Sequence, residues 1–247
     1  MEVHQHTHTP RKKWSHYFYE FLMLFLAVIA GFFAENFREH IVEHKREKET
    51  MFALLRDLRA DILQIDSLRA RRISRNNDCD SLIYLLTNSP ATKNVERRGL
   101  IYLYGRNASR RLHFRPQDGT LQQLRSSGGF RVVQDTSVLN SINLYELGLK
   151  SNLENIEVEE KELTEYTDVA AKVFNVTVFQ EMTHTDNITM PDSLPALLSY
   201  DPLLLNQLCI KLHYWKRTSL SVLNSFDKLK ENAERLIVSI KNEYHLK

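Results

Sequence analysis

The stretch MFALLRDLRADILQIDSL, residues 51–68, decides the fold. Met51, Leu55, Leu58, Ile62 and Ile65 recur at spacings of 4, 3, 4 and 3, and Leu54 and Leu68 widen the stripe. Such spacing gathers apolar side chains on one side of a helix rather than alternating them across a strand. The stretch reads as a heptad-like seam, which needs other helices to cover it.

Glycine and proline support the same reading further along the chain. The 247 residues hold only 7 Gly and 6 Pro, and both are clustered. Phe32–Ser89, Leu149–Met190 and Leu203–Lys247 contain neither residue, as long helices require. Asn76-Asn77-Asp78 looks like a break with a new helix cap, followed by a short helix over Leu82–Leu86. Residues 91–135 read as an irregular, arginine-rich middle. Within it, a short capped helix follows Pro116-Gln117-Asp118 and stops at Gly128-Gly129. Asp135-Thr136-Ser137 then opens a long helix, with a seam through Val138, Ile142, Tyr145, Leu149, Leu153 and Ile156. Leu163, Tyr166, Val169 or Ala170, and Val173 extend that seam, and the helix should fade over 183–187. The last helix runs from Leu203 to about Tyr244, with Leu205, Leu208, Leu212, Trp215, Val222, Phe226, Leu229, Leu236 and Ile240 facing inward.

Towards the N-terminus, Arg38–Thr50 is a charged stalk, and Phe21–Ala34 is free of charge. Those 14 residues cover only about 21 Å of a ~30 Å hydrocarbon core. Trp14–Phe37 covers about 36 Å and brings in Tyr17, Phe18 and Tyr19, typical of the headgroup belt. A signal peptide is the rival, with Arg11–Lys13 as its basic region and cleavage before Gly31. Glu20 and three aromatics separate that basic region from the apolar run, which favours an uncleaved anchor. Basic residues nearly balance across the block: Arg11, Lys12 and Lys13 before it, Arg38, Lys45, Arg46 and Lys48 after it. The first group is denser and free of acids, so the N-terminus is expected inside and the bundle outside.

The expected fold is therefore all-α: a transmembrane helix continuing into a long helix, plus an antiparallel bundle of long coiled-coil-like helices. The expected divisions are a polar tail (1–13), the transmembrane helix (14–37), the stalk (38–50) and the bundle domain (51–247).

Few residues suggest chemistry. His4, His6 and His8 share one side of an extended tail, and His40 and His44 share a helix face; either set could meet a divalent metal. Glu20 is a carboxylate at the rim of the apolar block. Eight arginines (Arg97, Arg98, Arg106, Arg110, Arg111, Arg115, Arg125 and Arg131) lie between 97 and 131, with Asp118 the only acid in that stretch. Glu154–Asp168 supplies seven acids and one lysine, so pairing within or between chains is the first reading of the arginines. An anionic ligand or lipid surface is the second and nucleic acid the last. Cys79 and Cys209 are either one disulfide or two buried thiols. No phosphate-cradling glycine loop, nucleophile elbow or CxxC occurs, and no cofactor is expected.

EFLMLFLAVIAGFFAENFREH with the preceding HTHTPRKKW, and TLQQLRSSGGFRVVQDTSVLNSINLYE, carry a resemblance. They resemble the N-terminus and the central segment of a family of uncharacterised single-pass bacterial membrane proteins. That resemblance implies an inner-membrane anchor with a helical domain, and no activity. The expected function is a membrane-anchored scaffold or accessory subunit, with the bilayer and a second copy or another membrane protein as partners. An ion-coupled or channel-like subunit using Glu20, and a metal- or pH-responsive sensor using the histidines, are the alternatives.

Overall fold

The computed structural model of the chain describes residues 14–88, 94–126, 128, 130, 133, 135–183, 188, 190 and 195–246. Six helices are present among them: α1 (Trp14–Thr87), α2 (Val95–Ala108), α3 (Gly119–Ser126), α4 (Thr136–Ala170), α5 (Val176–Glu181) and α6 (Pro202–Tyr244). No strand occurs among the described residues, so the fold is all-α. The chain divides into two units, Met1–Thr50 and Met51–Lys247, and α1 contributes to both.

In the first unit the described residues form one helical run without a core. Phe21, Phe25, Phe32 and Phe33 are all half exposed or more. This part of α1 is long and apolar enough to cross a membrane, and none of its most apolar window is buried. Polar pairs begin at its C-terminal side, where Arg38 Nε donates to Glu35 at 3.0 Å.

The second unit is built on three heptad-spaced seams. On α1, Met51, Leu54, Leu58, Asp61, Ile65, Leu68, Arg72, Arg75, Cys79, Leu82 and Leu86 are buried, at alternating spacings of 3 and 4. On α6 the same alternation runs unbroken from Leu205 through Trp215, Ser219 and Ala233 to Ile240. Cross-helix pairs fix the directions. Tyr145 meets Asp61 and Glu159 meets Arg72, so α1 and α4 run parallel. Ser239 meets Ser141 and Ser225 meets Asn152, while Lys230 meets Asp66 and Lys216 meets Asp80. Helix α6 is therefore antiparallel to both.

Four local expectations are corrected. Asn76-Asn77-Asp78 does not break α1, because Arg75, Asn76 and Cys79 continue the buried face through the asparagines. The middle segment is not irregular throughout. Asn94 accepts from the backbone N–H of Glu96 and Arg97 and starts α2. The long helix α4 stops at Ala170 instead of fading after 183. Val173 and Phe174 turn into the core, and the Asn175 side chain caps α5. Leu153 is 40% exposed, while the buried positions are Asn152 and Glu159. The expected start at Asp135 stands, its side chain accepting from the Val138 N–H at 2.7 Å, and α6 begins at Pro202, one residue before the expected Leu203, capped by Asp201. Gly128 takes φ 67 just beyond α3, a left-handed position that suits glycine.

Parallel α1 and α4 need a crossover, and residues 88–135 provide it. Between α2 and α3 the crossover is an extended strap. Leu112 and Phe114 point into the core, while Arg111, His113 and Arg115 stay exposed. Such a strap has no ladder partner for its backbone, and polar side chains of α1 take that role. Arg75 Nη1 donates to Arg110 O (2.9 Å) and Arg72 Nη2 to Leu112 O (2.8 Å). Gln64 bonds both the N–H and the C=O of Arg115. Asp61 accepts from the Gln117 N–H at 2.8 Å, and Asp57 accepts from the Thr120 hydroxyl at 2.5 Å.

Candidate functional site

The apolar core of the bundle is in two parts. One gathers Met51–Leu68 of α1, Val138–Leu149 of α4 and Val222–Tyr244 of α6. The other gathers Cys79–Leu86, Leu163–Ala170 and Leu205–Trp215 of the same helices, with α2 and α5. Between them all three seams turn polar, at Arg72, Arg75 and Asn76, at Asn152 and Glu159, and at Ser219 and Ser225.

Glu159 is the centre of this layer. Both of its oxygens accept from Arg72 Nη1, and one also accepts from Arg75 Nη2 at 2.5 Å. Arg72 is fully buried and Arg75 nearly so, and the carboxylate is almost as enclosed. Ser219 accepts from Arg75 at 3.3 Å. Trp215 lies 4.4 Å beneath the Arg75 guanidinium, and Phe226 lies 5.5 Å beneath that of Arg72. Both cations therefore rest on aromatic faces. Burial pulls the Arg75 guanidinium below its ordinary value, and Glu159 opposes that shift. Two cations on one anion leave excess positive charge inside the bundle. Arg72 Nε and Arg75 Nε carry no hydrogen bond among the described residues.

A second buried carboxylate, Asp61, lies in the first core. It accepts from the Tyr145 hydroxyl (2.6 Å) and the Gln117 N–H, with no cation on it. Burial raises its pKa, against the lowering effect of those two hydrogen bonds.

The sequence-derived candidates are scattered. His4, His6, His8 and Arg131 lie outside the described residues. His40 and His44 are exposed on α1, with His44 Nδ1 3.3 Å from Glu47. Among the described residues no group of three or more potential metal ligands is gathered. Glu20 is exposed within the apolar run. Arg111 pairs with Glu160 at 3.1 Å and Arg125 with Glu146 at 2.7 Å. Arg106 donates to Ser109, and Arg115 is held through its backbone. Arg97 is exposed, Arg98 is half-buried, and Arg110 is exposed beside the Arg75 contact. Cys79 and Cys209 are free thiols buried in the second core. Burial pushes them up to about 12 and about 11, well above a reactive range.

Arg72, Arg75 and Glu159 were not among the candidates, although the periodicity pointed to the two arginines. Continuing 58, 65, 68 by alternate steps of 4 and 3 reaches 72 and 75, whereas Glu159 follows only once Asn152 replaces Leu153 in the α4 seam. No protein-family model matches the chain, and no curated protein or solved structure matches it.

Proposed function

We propose that the protein is a membrane-anchored helical scaffold or accessory subunit that works by holding protein partners, with no catalysis of its own. The observation that carries this reading is the run Trp14–Phe37. It is helical, carries no charge from Phe21 to Ala34, and none of its most apolar window is buried among the described residues. A helix apolar all round belongs in lipid or against other apolar helices. Tyr17, Phe18 and Tyr19 at one end suit a headgroup belt. The bundle in turn has two apolar cores, and the buried Arg72 and Arg75 between them hold the strap to α1 through its carbonyls. A bacterial inner membrane with the bundle in the periplasm is the placement we favour, from the resemblance and from the denser basic cluster at Arg11–Lys13.

Two measurements test the reading together. The full-length protein should stay with membranes through alkaline carbonate washing. After mild detergent extraction and cross-linking, native mass analysis should show a defined homo-oligomer or a fixed stoichiometric partner. Release by carbonate would refute the anchor, and a lone monomer under all extraction conditions would refute the scaffold.

A further inference from the structure

Where the strap leaves α2 and meets α1, the second unit has a cavity of about 240 Å³. Three arginines line it: Arg71 and Arg75 from α1, and Arg110 from the strap. Arg71 and Arg110 are exposed and make no ion pair among the described residues. Arg75 forms the inner wall and carries the excess positive charge of the buried layer behind it, where it and Arg72 share one carboxylate. The cavity has one acid, Asp78, whose carboxylate accepts from Asn107 Nδ2 at 3.1 Å. Ser74 adds a hydroxyl to the wall. Arg106 stands close enough to Arg110 for the two charges to repel, adding to the burial that lowers the Arg106 pKa.

Three arginines against one acid leave the lining net positive, which a small anion in the cavity would offset. Like charges at close range oppose one another, most of all beside a low-dielectric interior. The volume lies below the ~300 Å³ at which pockets for drug-sized ligands begin, so the fitting ligand is small. Guanidinium forks match the paired oxygens of phosphate geometrically as well as electrically. We infer that the Arg71–Arg75–Arg110 cavity is a binding site for a phosphate-type oxyanion, either free phosphate or a phosphomonoester headgroup. The forks of Arg71 and Arg110 hold the anion, Arg75 supplies charge from behind, and Asp78 limits affinity as a competing anion.

The test uses the full-length protein in nanodiscs of zwitterionic lipid. Inorganic phosphate is titrated against chloride at constant ionic strength, and the thermal midpoint is followed by tryptophan fluorescence. The midpoint should rise saturably with phosphate. Arg71→Gln and Arg110→Gln should each weaken the apparent affinity about tenfold or more, as loss of a charged hydrogen-bonding partner does. Arg56→Gln, at an exposed site outside the cavity, should leave it unchanged. Asp78→Asn should tighten it, which a purely structural role of the arginines would not produce. A second arm replaces phosphate with nanodiscs containing phosphatidic acid. Stabilisation there that is lost in Arg71→Gln and Arg110→Gln makes a lipid headgroup the source, and stabilisation by phosphate alone makes it a soluble ion. No saturable response to either probe would overturn the inference. So would a response that survives both glutamine substitutions.

Discussion

Glu159→Gln removes the one carboxylate that faces two buried guanidinium groups. Gln keeps the length of the side chain and one acceptor oxygen, so packing changes little. What is lost is the charge. Removing one partner of a buried ion pair destabilises by about 3–5 kcal/mol, because the other charge stays enclosed. Here two cations are left, both almost without exposure, so the upper part of that range is expected. For a domain of this size each kcal/mol shifts the midpoint by about 2–4 °C, giving a fall of about 8–20 °C. Urea unfolding of the detergent-solubilised protein, followed by fluorescence, reads this directly, since Trp215 packs on the Arg75 guanidinium. A charge-free layer, with Arg72→Met, Arg75→Leu and Glu159→Leu together, separates charge from geometry. Elsewhere such a swap is often neutral. Here it strands the buried carbonyl of Leu112, worth about 1–3 kcal/mol when unpaired, while that of Arg110 lies where water reaches it. The triple variant should therefore stay about 1–3 kcal/mol less stable than the native protein. Glu159→Gln within about 1 kcal/mol of the native protein would refute the view that this carboxylate neutralises the layer.

Asp61 gives a pH signature. Its folded pKa is raised above the ordinary 3.8, so the folded state binds the proton more tightly. Its contribution is most favourable below 3.8 and is lost as pH rises through the higher folded value. Asp61→Asn can still accept from Gln117 and bond Tyr145, so the variant should gain stability relative to the native protein across that window. An equal pH profile for both proteins would count against this. Gly105→Ala would place a methyl 2.5 Å from Phe174, whose ring also packs on Tyr102 and Phe179. A loss of about 1–3 kcal/mol is expected in denaturant unfolding. Gly119→Ala meets open space and should be neutral or better by the same measurement. Cys79 and Cys209 should resist a thiol reagent at pH 8 in the folded protein and react fully in denaturant; fast native labelling of either would contradict their burial.

The long helices were legible because their apolar residues keep a 3–4 spacing, and Asp135 marks the start of α4 in plain chemistry. Three of the departures share one cause: polar side chains on the seams read as exposed although they are buried. Asn76 looked like a break and is a buried member of the α1 face. Leu153 was preferred to Asn152 because it is apolar, yet the geometry of the seam buries the asparagine. Arg72, Arg75 and Glu159 went unnoticed for the same reason. Their partners are carbonyls of a distant strap, and no local pattern announces that 110 and 112 will come to lie beside 75 and 72. Helix α2 was hidden by Gly99 and Gly105, which normally argue against a helix. At Gly105 the close approach of Phe174 requires glycine, a tertiary reason that sequence spacing does not express.

The parallel course of α1 and α4 has a consequence during synthesis. Helix α1 is made first, but its seam from Met51 to Leu86 is completed only when α4 and α6 have emerged. At roughly 5–20 residues per second, the chain between Thr87 and Tyr244 takes about ten to thirty seconds to appear. Throughout that interval a ribosome-bound chain displays an uncovered apolar stripe to its neighbours on the same message. Asp61, Arg72 and Arg75 interrupt the stripe, so that no long dry surface is offered to another nascent copy. The charges that later join strap to helix thus serve first as gatekeepers against premature association.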